Sequence, residues 1–168
     1  MKKFKICMLG AFAVGKTSLV QQYVFSIFSG KYQTTLGVKI DKKTMQINDQ
    51  AIELILWDLA GEEETVQVRD TYFRGAAGAV LVADGTRAET LDTACQLQQR
   101  LFSQVGEVPT VFMVNKSDLE NEWEIERARL AELDDAGGQV YETSAKEGSN
   151  VKRAFQALAL QLLEGPAA

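Results

Sequence analysis

The sequence predicts an α/β fold: a six-stranded mixed sheet, five strands parallel and one antiparallel, with helices on both faces. Three observations lead there. Apolar runs alternate with helical patterns along the whole chain. Two of the runs, 79–83 and 110–114, are apolar almost throughout, as central parallel strands covered on both faces must be. A glycine-bearing loop stands between the first apolar run and the first helical pattern, the strand–loop–helix order of an α/β unit. The 168 residues suit one domain with one buried core, so residues 1–168 are taken as a single unit.

Each element has its own signal. Residues 5–9 form a buried strand that runs into the glycine loop, and a helix follows over 16–25. Residues 39–47 and 51–57 are two strands joined by Asn48-Asp49-Gln50, a compact hairpin connection. A helix is expected over 89–103. Another is expected over 124–133, where Glu and Arg interleave on a solvated face. A short strand is read at 139–141. Val151, Ala154, Phe155, Leu158, Ala159 and Leu162 recur at offsets of three and four, one apolar stripe of a last helix. The end, Gly165-Pro166-Ala167-Ala168, reads as untethered.

Composition excludes several function classes. The net charge of −5 offers no basic field to nucleic acid or an anionic membrane. The chain has no histidine, so imidazole chemistry is ruled out. Cys7 and Cys95 lie in apolar stretches without metal-ligand spacing and read as small buried hydrophobes of a reducing compartment. With neither a signal peptide nor a run of membrane-spanning length in this sequence, the expected location is the cytoplasm.

Gly10-Ala11-Phe12-Ala13-Val14-Gly15-Lys16-Thr17 satisfies every fixed position of the Gly-x4-Gly-Lys-Ser/Thr pattern. In such a loop the glycines let successive N–H groups converge on phosphate oxygens, and the following helix adds its positive end. Lys16 is placed to reach the outer phosphates and the Thr17 hydroxyl to ligate Mg²⁺; Ser18 follows in the first helical turn. The loop specifies a nucleoside triphosphate without choosing the base.

Asn115-Lys116-Ser117-Asp118 makes that choice. It follows the strand 110–114 and so lies at a carboxyl end, where open α/β sheets bind ligands. A carboxylate at Asp118 accepts from the N1–H and the exocyclic amine of guanine, whereas adenine offers hydrogen at neither position. Lys116 can lay its stem along the base, and Asn115 can tie this loop to the phosphate loop. Ser144, Ala145 and Lys146, after the last strand, can meet the guanine from the other side.

Taken together, these residues resemble the small GTPases of the Ras superfamily over nearly the whole chain, and among them the Rab branch most. Trp57-Asp58-Leu59-Ala60-Gly61 is similar to the family's Trp-Asp-Thr-Ala-Gly motif, and Tyr32-Gln33-Thr34-Thr35-Leu36-Gly37-Val38 to its first switch segment. The resemblance implies a small G domain binding GTP or GDP with Mg²⁺. It implies that Asp58 holds the metal through a water, Thr35 ligates it in the triphosphate state, and Gly61 meets the γ-phosphate. Tyr32 would lie beside the nucleotide and Phe28 edge-on to the base. It also implies effector, exchange and activating proteins as partners of a monomer, contacting the segments 29–38 and 61–73. Trp57 shares a strand face with Ile55 and Glu53, and two readings of it stay open: a partner contact, or a ring covered by neighbouring switch residues.

The departures from the family matter as much. Glu62 stands where a water-orienting Gln is usual, Phe12 where the loop residue is small, and Ile40 where Rab proteins carry an aromatic. Ionised Glu62 accepts hydrogen bonds but donates none, and Phe12 adds bulk where the attacking water needs room. With Lys16, Thr35, Gly61 and Glu62 as the catalytic set, slow GTP hydrolysis is the first reading. A GTP-dependent interaction module with negligible hydrolysis is the alternative, and a P-loop kinase or ATPase a third that Asp118 opposes. The sequence given carries no C-terminal prenylation cysteines, so membrane attachment would need a lipidated tail or partner outside it.

Overall fold

The computed structural model describes residues 1–30, 37–59 and 69–165. Its strands are β1 (Lys2–Gly10), β2 (Val38–Ile47), β3 (Gln50–Leu59), β4 (Gly78–Asp84), β5 (Thr110–Asn115) and β6 (Val140–Glu142). The helices are α1 (Lys16–Phe25), α2 (Glu89–Val105), α3 (Arg127–Leu133) and α4 (Val151–Glu164). The strands form one sheet in the order β2-β3-β1-β4-β5-β6. Only β2 runs antiparallel to its neighbour; every other adjacent pair is parallel. The sheet is therefore the one expected, five strands parallel and one antiparallel.

Alternation along the strands divides the core into two layers. Ile6, Met8, Ile52, Leu54, Val80, Val82, Val111 and Met113 face one way and meet Leu19, Tyr23, Phe155 and Leu158 of α1 and α4. Cys7, Leu9, Leu81, Phe112 and Val114 face the other way and meet Leu91, Leu97 and Leu101 of α2 and Leu130 of α3. Tyr23 and Phe155 stack with ring centroids 4.0 Å apart, which ties α1 to α4. Such a pair adds roughly 1 kcal/mol beyond the area it buries.

Several elements end where local chemistry dictates, and not where the sequence pattern suggested. The β2–β3 connection is two residues, not three. Asn48 and Asp49 both adopt positive φ (50° and 63°), as a tight turn between right-twisted strands requires, and Gln50 already pairs with Ile47. The helix expected from 124 begins at Arg127, because the Glu124 and Ile125 N–H groups donate to the Gly85 carbonyl at 2.7 and 3.3 Å. Gly85 has no room for a side chain, since a Cβ there would run into the Trp123 ring. The last strand is Val140–Glu142; Gln139 is left-handed (φ 49°) and precedes it. Cys7 is buried as expected, but Cys95 on α2 is only half-buried, packed at the margin of the core. Among the described residues no helix is long and apolar enough to cross a membrane.

Candidate nucleotide site

All parallel strands point their carboxyl ends the same way, and the predicted residues gather there. β1 delivers residues 10–17, β3 delivers Asp58, β4 Asp84, β5 Asn115, and the turn after β6 delivers Ser144 and Ala145. A cleft of about 420 Å³ opens among them, lined on one wall by Ala13, Gly15 and Ser18 and on the other by Asn115, Lys116, Asp118, Ala145 and Lys146. Phe28, 42% exposed, stands at its mouth with Gly30 and Leu119.

The phosphate loop closes onto the start of α1. Gly15 is the residue before the helix (φ 102°), and no side chain caps the helix end. No acidic residue lies in the first turn, so the positive end of the helix dipole faces the loop without a neighbouring carboxylate on the helix itself. Gly15 must be glycine for a second reason: a Cβ would collide with the Asn115 amide. Ala13 is also left-handed (φ 65°), a conformation that costs a non-glycine residue roughly 1 kcal/mol and is tolerated in turns that converge N–H groups. The Val14 side chain is fully buried in the α1/α4 layer, so only its backbone serves the loop.

Lys16 is buried, with Nζ donating to the Gly10 and Ala11 carbonyls at 3.5 and 3.3 Å. Burial lowers its pKa to about 8; Asp58 opposes this and Arg87 adds to it. Its ammonium is thus short of a counter-charge that a phosphate would supply. Thr17 Oγ1 donates to Asp58 Oδ2 at 2.6 Å. That bond sets the hydroxyl oxygen beside a carboxylate at the end of β3. An all-oxygen donor pair of this kind fits a hard ion such as Mg²⁺.

On the other wall, Asn115 joins the two halves of the cleft. Its Nδ2 donates to the Val14 carbonyl (3.1 Å) and its Oδ1 accepts from Ala145 N–H (3.2 Å). Lys116, left-handed at φ 71°, stretches its stem along the cleft and donates from Nζ to the Ala13 carbonyl at 3.2 Å. Asp118 Oδ1 accepts from Ser144 Oγ at 2.8 Å, and Gln22 of α1 holds the Ala145 carbonyl at 2.7 Å.

Two residues here carried no sequence signal. Asp84 is 1% exposed and accepts from Lys116 Nζ (2.8 Å), Arg87 Nε (3.1 Å) and the Thr86 N–H and hydroxyl (2.9 and 2.7 Å). Burial pushes its carboxyl up, but the bonds from Lys116 and Thr86 outweigh this and hold it below the ordinary carboxylate value. Arg87 Nη2 in turn donates to the Phe12 carbonyl at 2.7 Å. Neither residue belongs to a pattern of fixed letters; only the β4–α2 turn brings them under the phosphate loop.

Tyr32, Thr35, Gly61 and Glu62 lie outside the described residues, as does most of the two expected switch segments. Trp57 is half-buried, with the Lys5 ammonium 3.8 Å from its ring centroid, so the covering residue on this side is a lysine of β1. Ile40, 47% exposed, pairs with it across β2 and β3.

Fold and cleft together define a P-loop nucleotide-binding domain. The family model described as "Ras family" matches residues 5–164. Curated relatives agree: Ras-related protein Rab-7a of Dictyostelium discoideum is 35% identical over 92% of this chain and 80% of its own length. Ras-related protein Rab-7L1 of Rattus norvegicus is 36% identical over 95% and 82%. Ras-related protein Rab7 of Drosophila melanogaster is 35% identical over 95% and 80%. The chain belongs to the Ras family, with Rab proteins among its similar relatives.

Proposed function

We propose that this chain is a guanine-nucleotide switch, one G domain over residues 1–168, that binds GTP and GDP with Mg²⁺ and hydrolyses GTP slowly. The bridge from Asn115 to both the Val14 carbonyl and the Ala145 N–H carries the reading, because it fixes the base-reading segment to the phosphate loop at one distance. A ligand must then offer a purine and a phosphate chain together. Asp118 selects guanine, held toward the cleft by Ser144; Lys116, Lys146 and Phe28 flank the ring.

Lys16, the α1 N-terminus and the loop N–H groups hold the phosphates. Thr17 and Asp58, joined in the triphosphate state by Thr35, would hold Mg²⁺, which supplies charge neutralisation between the β- and γ-phosphates. Water attacks the γ-phosphorus in line, the bond to the bridging oxygen breaks, GDP leaves, and the proton of the water ends on inorganic phosphate. Lys16 stabilises the charge that builds on the leaving oxygen. Thr35 and Gly61 contact a γ-phosphate that GDP lacks, so the segments 29–38 and 61–73 differ between states and offer partners a state-dependent surface. Effector, exchange and activating proteins would read that surface and the adjoining Trp57 and Ile40. The protein acts as a cytoplasmic monomer unless a partner or lipid brings it to a membrane.

Phe12 and Glu62 favour a second reading, a GTP-dependent interaction module with negligible hydrolysis. Competition of GDP against ADP tests the base selectivity, and equal affinity would end both readings. Single-turnover assays with GTP and Mg²⁺ separate the two.

A further inference from the structure

Three consecutive carbonyls of the phosphate loop are each held by a donor from outside it. Phe12 O accepts from Arg87 Nη2 (2.7 Å), Ala13 O from Lys116 Nζ (3.2 Å) and Val14 O from Asn115 Nδ2 (3.1 Å). In a trans peptide the carbonyl and the next N–H point in opposite directions. Pulling these three oxygens toward the β4 and β5 ends therefore turns the Ala13, Val14 and Gly15 N–H groups the other way, into the loop. The donors from β5 follow from the Asn115-Lys116 pair. The donor from Arg87 does not, and its anchor is Asp84, the same buried carboxylate that holds Lys116.

We propose that Asp84 and Arg87 are positioning residues for phosphate binding: one buried carboxylate holds two cations that in turn fix the Phe12 and Ala13 carbonyls and so aim the following N–H groups at the nucleotide's phosphates. Arg87 is suited to this because its guanidinium is a rigid fork. Nε faces Asp84 while Nη2 faces Phe12, so one planar group spans the gap without bending. Asp84 also couples the two walls of the cleft. A shift of Lys116 toward a bound base is felt by Asp84, by Arg87, and through it by the Phe12 peptide. A plain turn-stabilising role would need only the bonds to Thr86 and the Arg87 Nε.

This inference rests on the nucleotide-switch reading, and its test separates the two. The GDP affinity of the unaltered protein and of Arg87→Gln is measured, together with the ³¹P resonances of bound GDP. Arg87 is about one-third exposed, so its replacement leaves the core intact, and a melting curve of each variant checks this. Expected is a loss of GDP affinity on the order of tenfold, the scale of a charge-assisted hydrogen bond, with a displaced β-phosphate resonance. Asp84→Asn, which frees both cations, loses more. Arg87→Lys keeps the charge but cannot span Asp84 and Phe12 at once, so it recovers only part of the affinity. Unchanged affinity in Arg87→Gln, or reduced affinity with unmoved ³¹P resonances, overturns the proposal. Full recovery by lysine overturns it too, since charge alone would then suffice. Failure of the unaltered protein to prefer GDP over ADP would instead sink the functional reading.

Discussion

Ser144 donates a 2.8 Å hydrogen bond to the Asp118 carboxylate, so the group expected to read the base is itself held by the turn after β6. The same hydroxyl accepts from the Glu147 N–H at 3.0 Å, which fixes its proton toward Asp118. Asp118→Asn should weaken guanine nucleotides and favour xanthine nucleotides, whose C2 carbonyl can accept from the new amide. Ser144→Ala should keep guanine selectivity but lose roughly tenfold in affinity, as a hydrogen bond to a charged group implies. Competition of GDP, xanthosine diphosphate and ADP against a fluorescent nucleotide checks both. An Asp118→Asn variant with undiminished preference for guanine would remove Asp118 from the site.

Thr17→Ala removes a metal-facing oxygen and the 2.6 Å bond to Asp58 together. Mg²⁺-dependent GTP affinity should fall about tenfold more than GDP affinity, because a metal held by Thr17 would offset the additional charge that the γ-phosphate brings. Titrations of both nucleotides with and without Mg²⁺ measure this. An unaltered ratio between GTP and GDP would place Thr17 off the metal.

The lowered pKa of Lys16 makes a prediction about protons. Its value falls from 10.5 to about 8 in the free protein, chiefly through burial, and a bound phosphate restores the charge. Above about pH 8 the free protein has lost this proton while the complex keeps it, so binding takes one up and affinity declines as pH rises. Below about pH 7 both forms are charged and Lys16 adds no pH dependence. Calorimetry of GDP binding in buffers of different ionisation enthalpy should show proton uptake growing between about pH 7 and about pH 9. Flat proton exchange across that range would mean that Lys16 stays fully charged without ligand.

At the reaction centre, Glu62→Gln should raise intrinsic hydrolysis, since an amide restores a donor and removes a charge that the triphosphate repels. Phe12 can mask the gain by crowding the water, so Phe12→Gly with Glu62→Gln should exceed the sum of the single effects by at least ~0.5 kcal/mol in activation free energy. Single-turnover rates of the four proteins test it. A large loss on Glu62→Gln would instead make the carboxylate a working base.

The sheet and most of the site were legible because their signals are local. Strand alternation, the glycine loop and the Asn115–Asp118 segment are each read within a few residues. The start of α3 was missed because a hydrogen bond from elsewhere in the chain decides it. Glu124 looks helical until its N–H is claimed by Gly85, thirty-nine residues earlier. Asp84 and Arg87 were illegible for the same reason, since their importance arises from Lys116 and Phe12, which only the fold brings near. The Ser144 hydroxyl bond to Asp118 was likewise illegible, because it needs the geometry of two separate turns.

The two-residue turn at Asn48 and Asp49 has a practical side. It joins β2 to β3 beside the first residues of β1, at the edge of the sheet opposite Gly10 and the cleft. Its residues are exposed and already left-handed, so the tip tolerates added glycine-rich chain without disturbing the ladder beneath it. A dye, an affinity handle or an inserted reporter domain can be carried there while the nucleotide end and its rim stay clear. The protein can thus be held by one pole and watched at the other.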